Sequence, residues 1–317
     1  MPIESRALDG SFAREVVGLQ LWEPVDDLTI DELRDLWAHH PLMVFRRQAL
    51  SEDELADFSA LFGPLERIVR TDWASPVRPE VGVISNLKDG QGKPIGGLGD
   101  GEIQWHSDQS YMQNPATGAM LYALELPPEG GTTCWADLSA AYAGLPERLK
   151  RAVEDKRAIF DYTKRLAGYQ GVDRVISEEA KRKTPPVLHP LVHIHPITGR
   201  KALYLDSTTA VGIEGMDEAS GSALLEEIYD LATRPEFVYH HHWRVGDALL
   251  WDNGFTMHRR EPFDPSARRL MKRTTMFLSR QRHIVPEGSL VAAGASQRTS
   301  ASDHAGHDRA RAPGSFR

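Results

Sequence analysis

The sequence predicts a mainly β fold, a β-sandwich or jelly roll decorated by α-helices. Many short apolar or β-branched runs are separated by Gly- and Pro-containing turns. Helical periodicity is confined to the N-terminal region and to a few later stretches, and there is neither an internal repeat nor an interdomain linker. These features predict one domain over residues 1–283, with about 156–190 as a charged, weakly patterned insertion packed on one side of the core. Residues 284–317 are rich in Ala, Gly, Ser, Arg and His and poor in large apolar residues, which predicts a disordered tail.

The elements follow in order. Thr29 and Glu32 have capping-box spacing, with Leu33, Leu36 and Trp37 behind them at helical intervals. Pro41 ends that helix, and Leu42 to Arg46 reads as an apolar strand. Ser51 and Glu54 form a second capping box before the stripe Leu55, Phe58, Leu61 and Phe62; Gly63-Pro64 stops it. Lys88 to Gly101 is glycine-rich without the pattern of a phosphate loop or a dinucleotide fingerprint, and is either a connector or a lid. Gln104 to Tyr111 reads as a short strand, as do Ala119–Leu124 and Thr132–Trp135. Asp137 caps a helical stretch broken near Pro146. Leu191–His195 and Lys201–Leu205 read as a hairpin around Pro196–Gly199, and Met216 to Thr233 as an amphipathic helix. Phe237–Trp243 and Ala248–Asp252 read as a second hairpin, turning at Val245-Gly246-Asp247, and Arg269 to Ser279 as the last strand.

Composition narrows the function. Hydrophobic residues make up 41% and charged residues 26%, ordinary for a soluble globular protein. A formal charge of −8 argues against a general nucleic-acid binder. No membrane-spanning apolar run occurs, and Met1 to Arg6 carries no signal pattern. One cysteine, Cys134, excludes an intrachain disulfide and fits a reducing cytoplasm; it reads as a buried small residue rather than a nucleophile. A small molecule is the default partner.

His106 and Asp108 lie two apart on a strand, so both side chains project the same way and supply two corners of a metal site. A hydrogen-bonded structural pair explains them equally well in isolation. His258 is the third candidate, shortly beyond the strand ending at Asp252. His240 to His242 and His193 with His195 are weaker, since no acidic partner stands at ligand spacing, and His39 with His40 end a helix, where the dipole favours cationic side chains. Arg269 follows His258 by eleven residues and Arg273 by four more, again on one strand face. Either they clamp anions in a pocket or they pair on the surface beside the basic Arg268, Lys272 and Arg280.

The ordered set His106-Ser107-Asp108, Gly130-Gly131-Thr132-Thr133-Cys134-Trp135, Trp251-Asp252-Asn253 with His258, and Arg269 with Arg273 resembles the taurine/herbicide-acid family of iron(II)- and 2-oxoglutarate-dependent dioxygenases. The likeness runs from Val44-Phe45-Arg46 to about Ser279. It implies a double-stranded β-helix, the jelly roll already read from the strands. It implies Fe(II) on His106, Asp108 and His258, 2-oxoglutarate held by Thr133 and Arg269, and Arg273 facing the acidic group of the substrate. The implied reaction consumes dioxygen, releases succinate and CO2 and hydroxylates a small anionic substrate. Desaturation, cyclisation and oxidative cleavage are alternatives. A zinc hydrolase on the same three ligands is a second reading, which leaves Thr133, Arg269 and Arg273 without a role, and a catalytically silent jelly-roll binding module is a third, which would not need an intact triad. Asp108 argues against halogenation, because related halogenases replace this carboxylate. The resemblance also allows a homo-oligomer, a dimer or tetramer. Two departures stand out: Leu65 to Val77 lacks the histidine that contacts substrate in the taurine enzyme, and His193 stands where many relatives carry Arg. Thr208, Thr209 and Tyr204 either line the substrate side or pack.

Overall fold

A computed structural model of the chain describes residues 3–8, 11–68, 72–168 and 184–278. The predicted tail, Ser279 and Arg280, and residues 169–183 of the predicted insertion lie outside the described residues.

In chain order the strands are β1 (Glu4–Ala7), β2 (Arg14–Val17), β3 (Leu42–Phe45), β4 (Gly82–Ser85), β5 (Gly97–Leu98), β6 (Ile103–His106), β7 (Gly118–Glu125) and β8 (Thr133–Asp137). They continue with β9 (Arg157–Phe160), β10 (Val187–Pro190), β11 (Val192–Ile194), β12 (Lys201–Leu203), β13 (Ala210–Ile213), β14 (Val238–His241), β15 (Ala248–Asp252), β16 (Thr256–Arg260) and β17 (Leu270–Met276). The helices are α1 (Asp27–His39), α2 (Glu52–Ala60), α3 (Leu138–Gly144), α4 (Glu147–Val153), α5 (Tyr162–Gly168) and α6 (Glu218–Ala232).

An eight-stranded sheet, ordered β1-β2-β3-β15-β7-β17-β4-β5, faces a four-stranded sheet, β14-β8-β16-β6. Seven of the ten neighbour pairs in these two sheets join strands that are not consecutive in the chain, as the crossovers of a jelly roll require. Both faces of the large sheet are covered. Along β3, Leu42 and Val44 face the core between the sheets, whereas Met43 and Phe45 pack under α1 and α2 with Leu33, Trp37, Leu55 and Phe58. β15 repeats the pattern, with Leu249 and Trp251 inward and Ala248 and Leu250 outward. Burial on both sides is why these strands read as unbroken apolar runs instead of alternating ones. The back of the small sheet is covered by α3, α4, α6 and the three-stranded sheet β10-β9-β13, whose Ala158, Phe160 and Val187 join that core.

Several local readings hold. Ser51 and Glu54 form the reciprocal capping box of α2, and Asp137 accepts hydrogen bonds from the Ser139 and Ala140 backbone N–H groups at the start of α3. β11 and β12 form the expected hairpin. His195 Nδ1 accepts from the backbone N–H of Ile197 and Thr198 and so holds its turn.

Two readings are corrected. Asp26, rather than Thr29, caps α1: its carboxylate accepts from the Thr29 N–H at 2.7 Å, and Glu32 instead accepts from the Ile3 N–H. The predicted Phe237–Asp252 hairpin does not form, because β14 pairs with β8 in the small sheet while β15 lies between β3 and β7 in the large one. The chain crosses between sheets there. Gly246 (φ +85°) donates to Ala123 O and accepts from the Gln48 N–H, docking the turn on the large sheet. Asp247, 1% exposed, ties the crossing together by pairing with Arg46 and accepting from His241 Nε2 and the Arg244 N–H.

Candidate active site

The site lies between the two sheets, at the β6 end of the small one. His106 and His258 are register partners across β6 and β16, with ring centroids 4.1 Å apart. His106 Nδ1 lies 2.8 Å from the Gln104 carbonyl, which can only accept, so Nδ1 carries the proton and Nε2 keeps its lone pair. That Nε2 is 3.9 Å from Asp108 Oδ1. His258 is backed by Trp135, its partner on β8, and by Trp251, with ring centroids 6.2 and 5.0 Å away.

β6 ends at His106, so Asp108 stands in the turn that follows and not on the strand itself. The turn is fixed from beneath. Ser107 Oγ lies 3.1 Å from the Leu205 carbonyl and 3.2 Å from that of Thr256 and shares its one proton between them. Ser110 Oγ donates to Asp206 Oδ2, and the Asp108 N–H donates to Asn253 Oδ1. Gln109 takes a left-handed φ of +56°, which reverses the chain, and its amide donates to Glu66. Asn253 is also held by Trp251 Nε1 at 2.9 Å. Asp206 and Ser110 carry no motif visible in one sequence; with Ser107 they fix the turn that presents Asp108.

One ligand atom from each of His106, Asp108 and His258 lies within 4.8 Å of the others, and all three residues are buried. Asp108 Oδ2 and His258 Nδ1 are buried with no hydrogen-bond partner. Burial holds both imidazoles neutral, His258 well below the ordinary histidine value, with the neighbouring His106 adding to it. Burial would raise Asp108, but the Arg273 guanidinium outweighs it and keeps the carboxyl ionised below the usual range. Two neutral imidazoles and a carboxylate with an unmet oxygen are a donor set suited to a divalent metal.

The other expected residues converge here. Thr133, on β8, is 3% exposed and accepts from Trp243 Nε1 at 2.9 Å. Arg269 directly precedes β17, is 1% exposed, and has Nε and Nη1 without partners; burial and the nearby Arg260 push its guanidinium down to about 9. Arg273 Nη1 donates to Asp108 Oδ1 at 3.1 Å. The surface reading therefore belongs to the adjacent residues only, Arg268 with Glu125 and Lys272 with Glu52. A cavity of about 40 Å³ brings together His106, His258, Thr133, Arg269 and Arg273. A cleft of about 830 Å³ adjoins it at His106, lined by Trp73, Leu98, Ile103, Arg165 and Thr208. Arg165 comes from the segment whose sequence pattern was weakest. Thr208 does line the cleft, whereas Thr209 and Tyr204 are buried, Tyr204 stacked on His193.

A second group, Cys134, His240 and Glu261, gathers on the opposite face of the small sheet. Arg259 already pairs with Glu261, the thiol sits 3.3 Å from His240 Nδ1, and burial pushes it up to about 11. That arrangement is self-satisfied.

Residues 4–275 match the family described as taurine catabolism dioxygenase TauD, TfdA family. The chain belongs to this family. It is 36% identical over 284 residues to the alpha-ketoglutarate-dependent 2,4-dichlorophenoxyacetate dioxygenase of Cupriavidus pinatubonensis, covering 87% of this chain and 98% of that one. It is 36% identical over 269 residues to the (S)-phenoxypropionate/alpha-ketoglutarate-dioxygenase of Sphingobium herbicidovorans, covering 83% and 91%. A crystal structure of AAD-2 in complex with Mn(II) and N-oxalylglycine superposes with a TM-score of 0.74 at 32% identity, covering 88% of this chain and 98% of that chain. The chain is an alpha-ketoglutarate (2-oxoglutarate)-dependent dioxygenase with a jelly-roll core. Among the described residues no helix is long and apolar enough to cross a membrane.

Proposed function

We propose that His106, Asp108 and His258 hold Fe(II), that Thr133 and Arg269 receive the distal carboxylate of 2-oxoglutarate, and that Arg273 meets the anionic group of the substrate. One observation carries the reading: His106 and His258, grouped with Asp108 as buried metal donors, share a cavity with Arg269, whose Nε and Nη1 have no partner. A buried, unneutralised guanidinium is costly without an anion. A hydrolase on the same triad gives that cation nothing to do.

Iron(II) with 2-oxoglutarate and dioxygen supplies the oxidising power, the keto acid leaving as succinate and CO2 while one oxygen atom enters the substrate. The chain's own residues set the stage. His106, Asp108 and His258 would hold the metal from one side and leave room beside it for the cosubstrate. The Gln104 carbonyl fixes the tautomer of His106 so that Nε2 can ligate. Trp135, Trp251 and Leu121 exclude water from the inner cavity. Arg273, 22% exposed at its side chain, stands between Asp108 and the exterior and can meet an incoming carboxylate without leaving Asp108 uncompensated.

The cleft combines apolar Trp73, Leu98 and Ile103 with the cationic Arg165. That lining suits a small acid with an apolar body, and the two relatives named for phenoxy acids support an aryloxyalkanoic acid class. The lone Cys134 fits a cytoplasmic setting. The same reading treats residues 1–283 as one catalytic domain, with 156–190 an insertion into it and 284–317 a tail.

The test is anaerobic addition of Fe(II) and 2-oxoglutarate, expected to produce a weak visible charge-transfer band, followed by succinate release in air. His106→Ala and Arg269→Ala are each expected to lower turnover by about a hundredfold or more. Metal bound with neither band nor succinate would sink the reading, and zinc-dependent hydrolysis without oxygen would favour the hydrolase.

A further inference from the structure

Arg260 enters none of the assignments above, yet it is as buried as they are. It follows His258 by two residues on β16, so its side chain projects from the same face, and it is 4% exposed. Its Nη2 donates to two backbone carbonyls of the glycine-rich segment, Leu98 O at 2.9 Å and Gly101 O. Its Nε and Nη1 have no partner. The guanidinium lies 5.4 Å from the Phe263 ring centroid, and that of Arg269 lies 5.9 Å from the same ring. Both arginines line the inner cavity beside Thr133.

Two guanidiniums thus share one aromatic ring, with four nitrogens between them lacking acceptors. A single buried cation already calls for an anion; two together repel each other and call for one more strongly. The carbonyls that Arg260 holds supply dipoles but no countercharge, and Asp100 offsets its charge only in part, without a hydrogen bond to Nε or Nη1. A carboxylate meeting both forks would satisfy the open N–H groups on each side. Leu98 and Gly101 also line the outer cleft, so Arg260 touches the cosubstrate cavity with one edge and the wall of the substrate cleft with the other.

We propose that Arg260 is a second guanidinium for the distal carboxylate of 2-oxoglutarate, and that through its bonds to Leu98 and Gly101 it couples cosubstrate binding to the placement of the glycine-rich wall of the substrate cleft. The inference rests on the 2-oxoglutarate reading above. It makes Arg260 a positioning residue for that wall as well as a binding residue.

The test uses the full chain loaded with Mn(II) under anaerobic conditions. Calorimetry compares 2-oxoglutarate with 2-oxobutyrate, which keeps the keto-acid end but lacks the distal carboxylate. In Arg260→Met the dissociation constant for 2-oxoglutarate is expected to rise about tenfold or more, with that for 2-oxobutyrate unchanged within about twofold. Arg260→Lys keeps the cation and loses the fork; a smaller rise, about threefold to tenfold, is expected, and it serves if the Met variant does not fold. Hydrogen exchange over residues 96–102 gives the second readout: 2-oxoglutarate should slow it in the unaltered protein and fail to do so in Arg260→Met. Unchanged 2-oxoglutarate affinity in both variants, or equal loss of both keto acids, overturns the assignment. Retained protection of 96–102 in Arg260→Met overturns the coupling. If the unaltered protein binds neither keto acid, it is the parent 2-oxoglutarate reading that fails.

Discussion

Single residues divide here into those whose chemistry shows in the sequence and those whose environment creates it. His106, Asp108, His258, Thr133, Arg269 and Arg273 were legible because residue type and spacing carry their roles, and the fold brings them to one place. Asp206 and Arg260 were not, because their importance comes from partners far away in the chain. His189 belongs to the same silent class. It is fully buried on β10 against Phe160 and Tyr204, its Nε2–H donates to the Met112 carbonyl at 3.0 Å, and burial pushes its imidazole down to about 4. In an unfolded chain a histidine titrates near 6.5, so acid favours the unfolded state throughout the window between those values. The neutral ring therefore contributes stability that is intact above about pH 6.5 and is lost as pH falls towards 4. The full loss is on the order of 3 kcal/mol. Urea unfolding of the protein and of His189→Gln at pH 7 and pH 4.5 checks it. The variant is expected to lose less stability on acidification, and equal pH sensitivity would show that His189 does not drive the acid response.

At the scale of elements, a glycine pair and a capping box separate chemistry from packing. Gly130 and Gly131 both take left-handed φ, +77° and +66°, just before β8 delivers Thr133. A Cβ on Gly130 would stand 2.8 Å from the Pro262 carbonyl, so the backbone of the Pro262–Phe263 segment or of the turn must move. That segment carries the ring shared by Arg260 and Arg269. Gly130→Ala is expected to cost about 1–3 kcal/mol and to weaken 2-oxoglutarate binding as well. Ser51→Ala removes the cap of α2, which lies on the outer face of the large sheet, and is expected to cost about 1 kcal/mol with keto-acid affinity unchanged. Thermal denaturation and calorimetry on both variants give the comparison; a Gly130→Ala protein of normal affinity would detach the turn from the site. Elements with local determinants, such as α2, α3 and the β11–β12 hairpin, were readable from sequence. The pairing of β14 and β15 was not, since a turn signal reports that the chain bends but not which sheet receives it.

Across the whole molecule, the site draws on both sheets. His106, Thr133 and His258 stand on the small sheet, whereas Arg269 and Arg273 come from the start of β17 and its interior in the large one. On the proposed assignment the metal's protein ligands come from the small-sheet side and the turn after β6, while the cosubstrate spans from that side to the other. Metal and keto acid should then stabilise the fold in two separable increments. A ligand that binds only the native state adds about 2.7 kcal/mol at a hundred times its dissociation constant. For a domain of this size that corresponds to roughly 4–5 °C in melting temperature. Under anaerobic conditions Mn(II) alone should raise the melting temperature, and 2-oxoglutarate should raise it further. Chelation should reverse both increments, because the keto acid needs the metal to complete its binding. Arg269→Met should keep the metal increment and lose most of the second one, since removing the large-sheet contact leaves the keto acid held from one side only. A full 2-oxoglutarate increment in Arg269→Met would place the distal carboxylate elsewhere, and no metal increment in the unaltered protein would remove His106, Asp108 and His258 as its ligands.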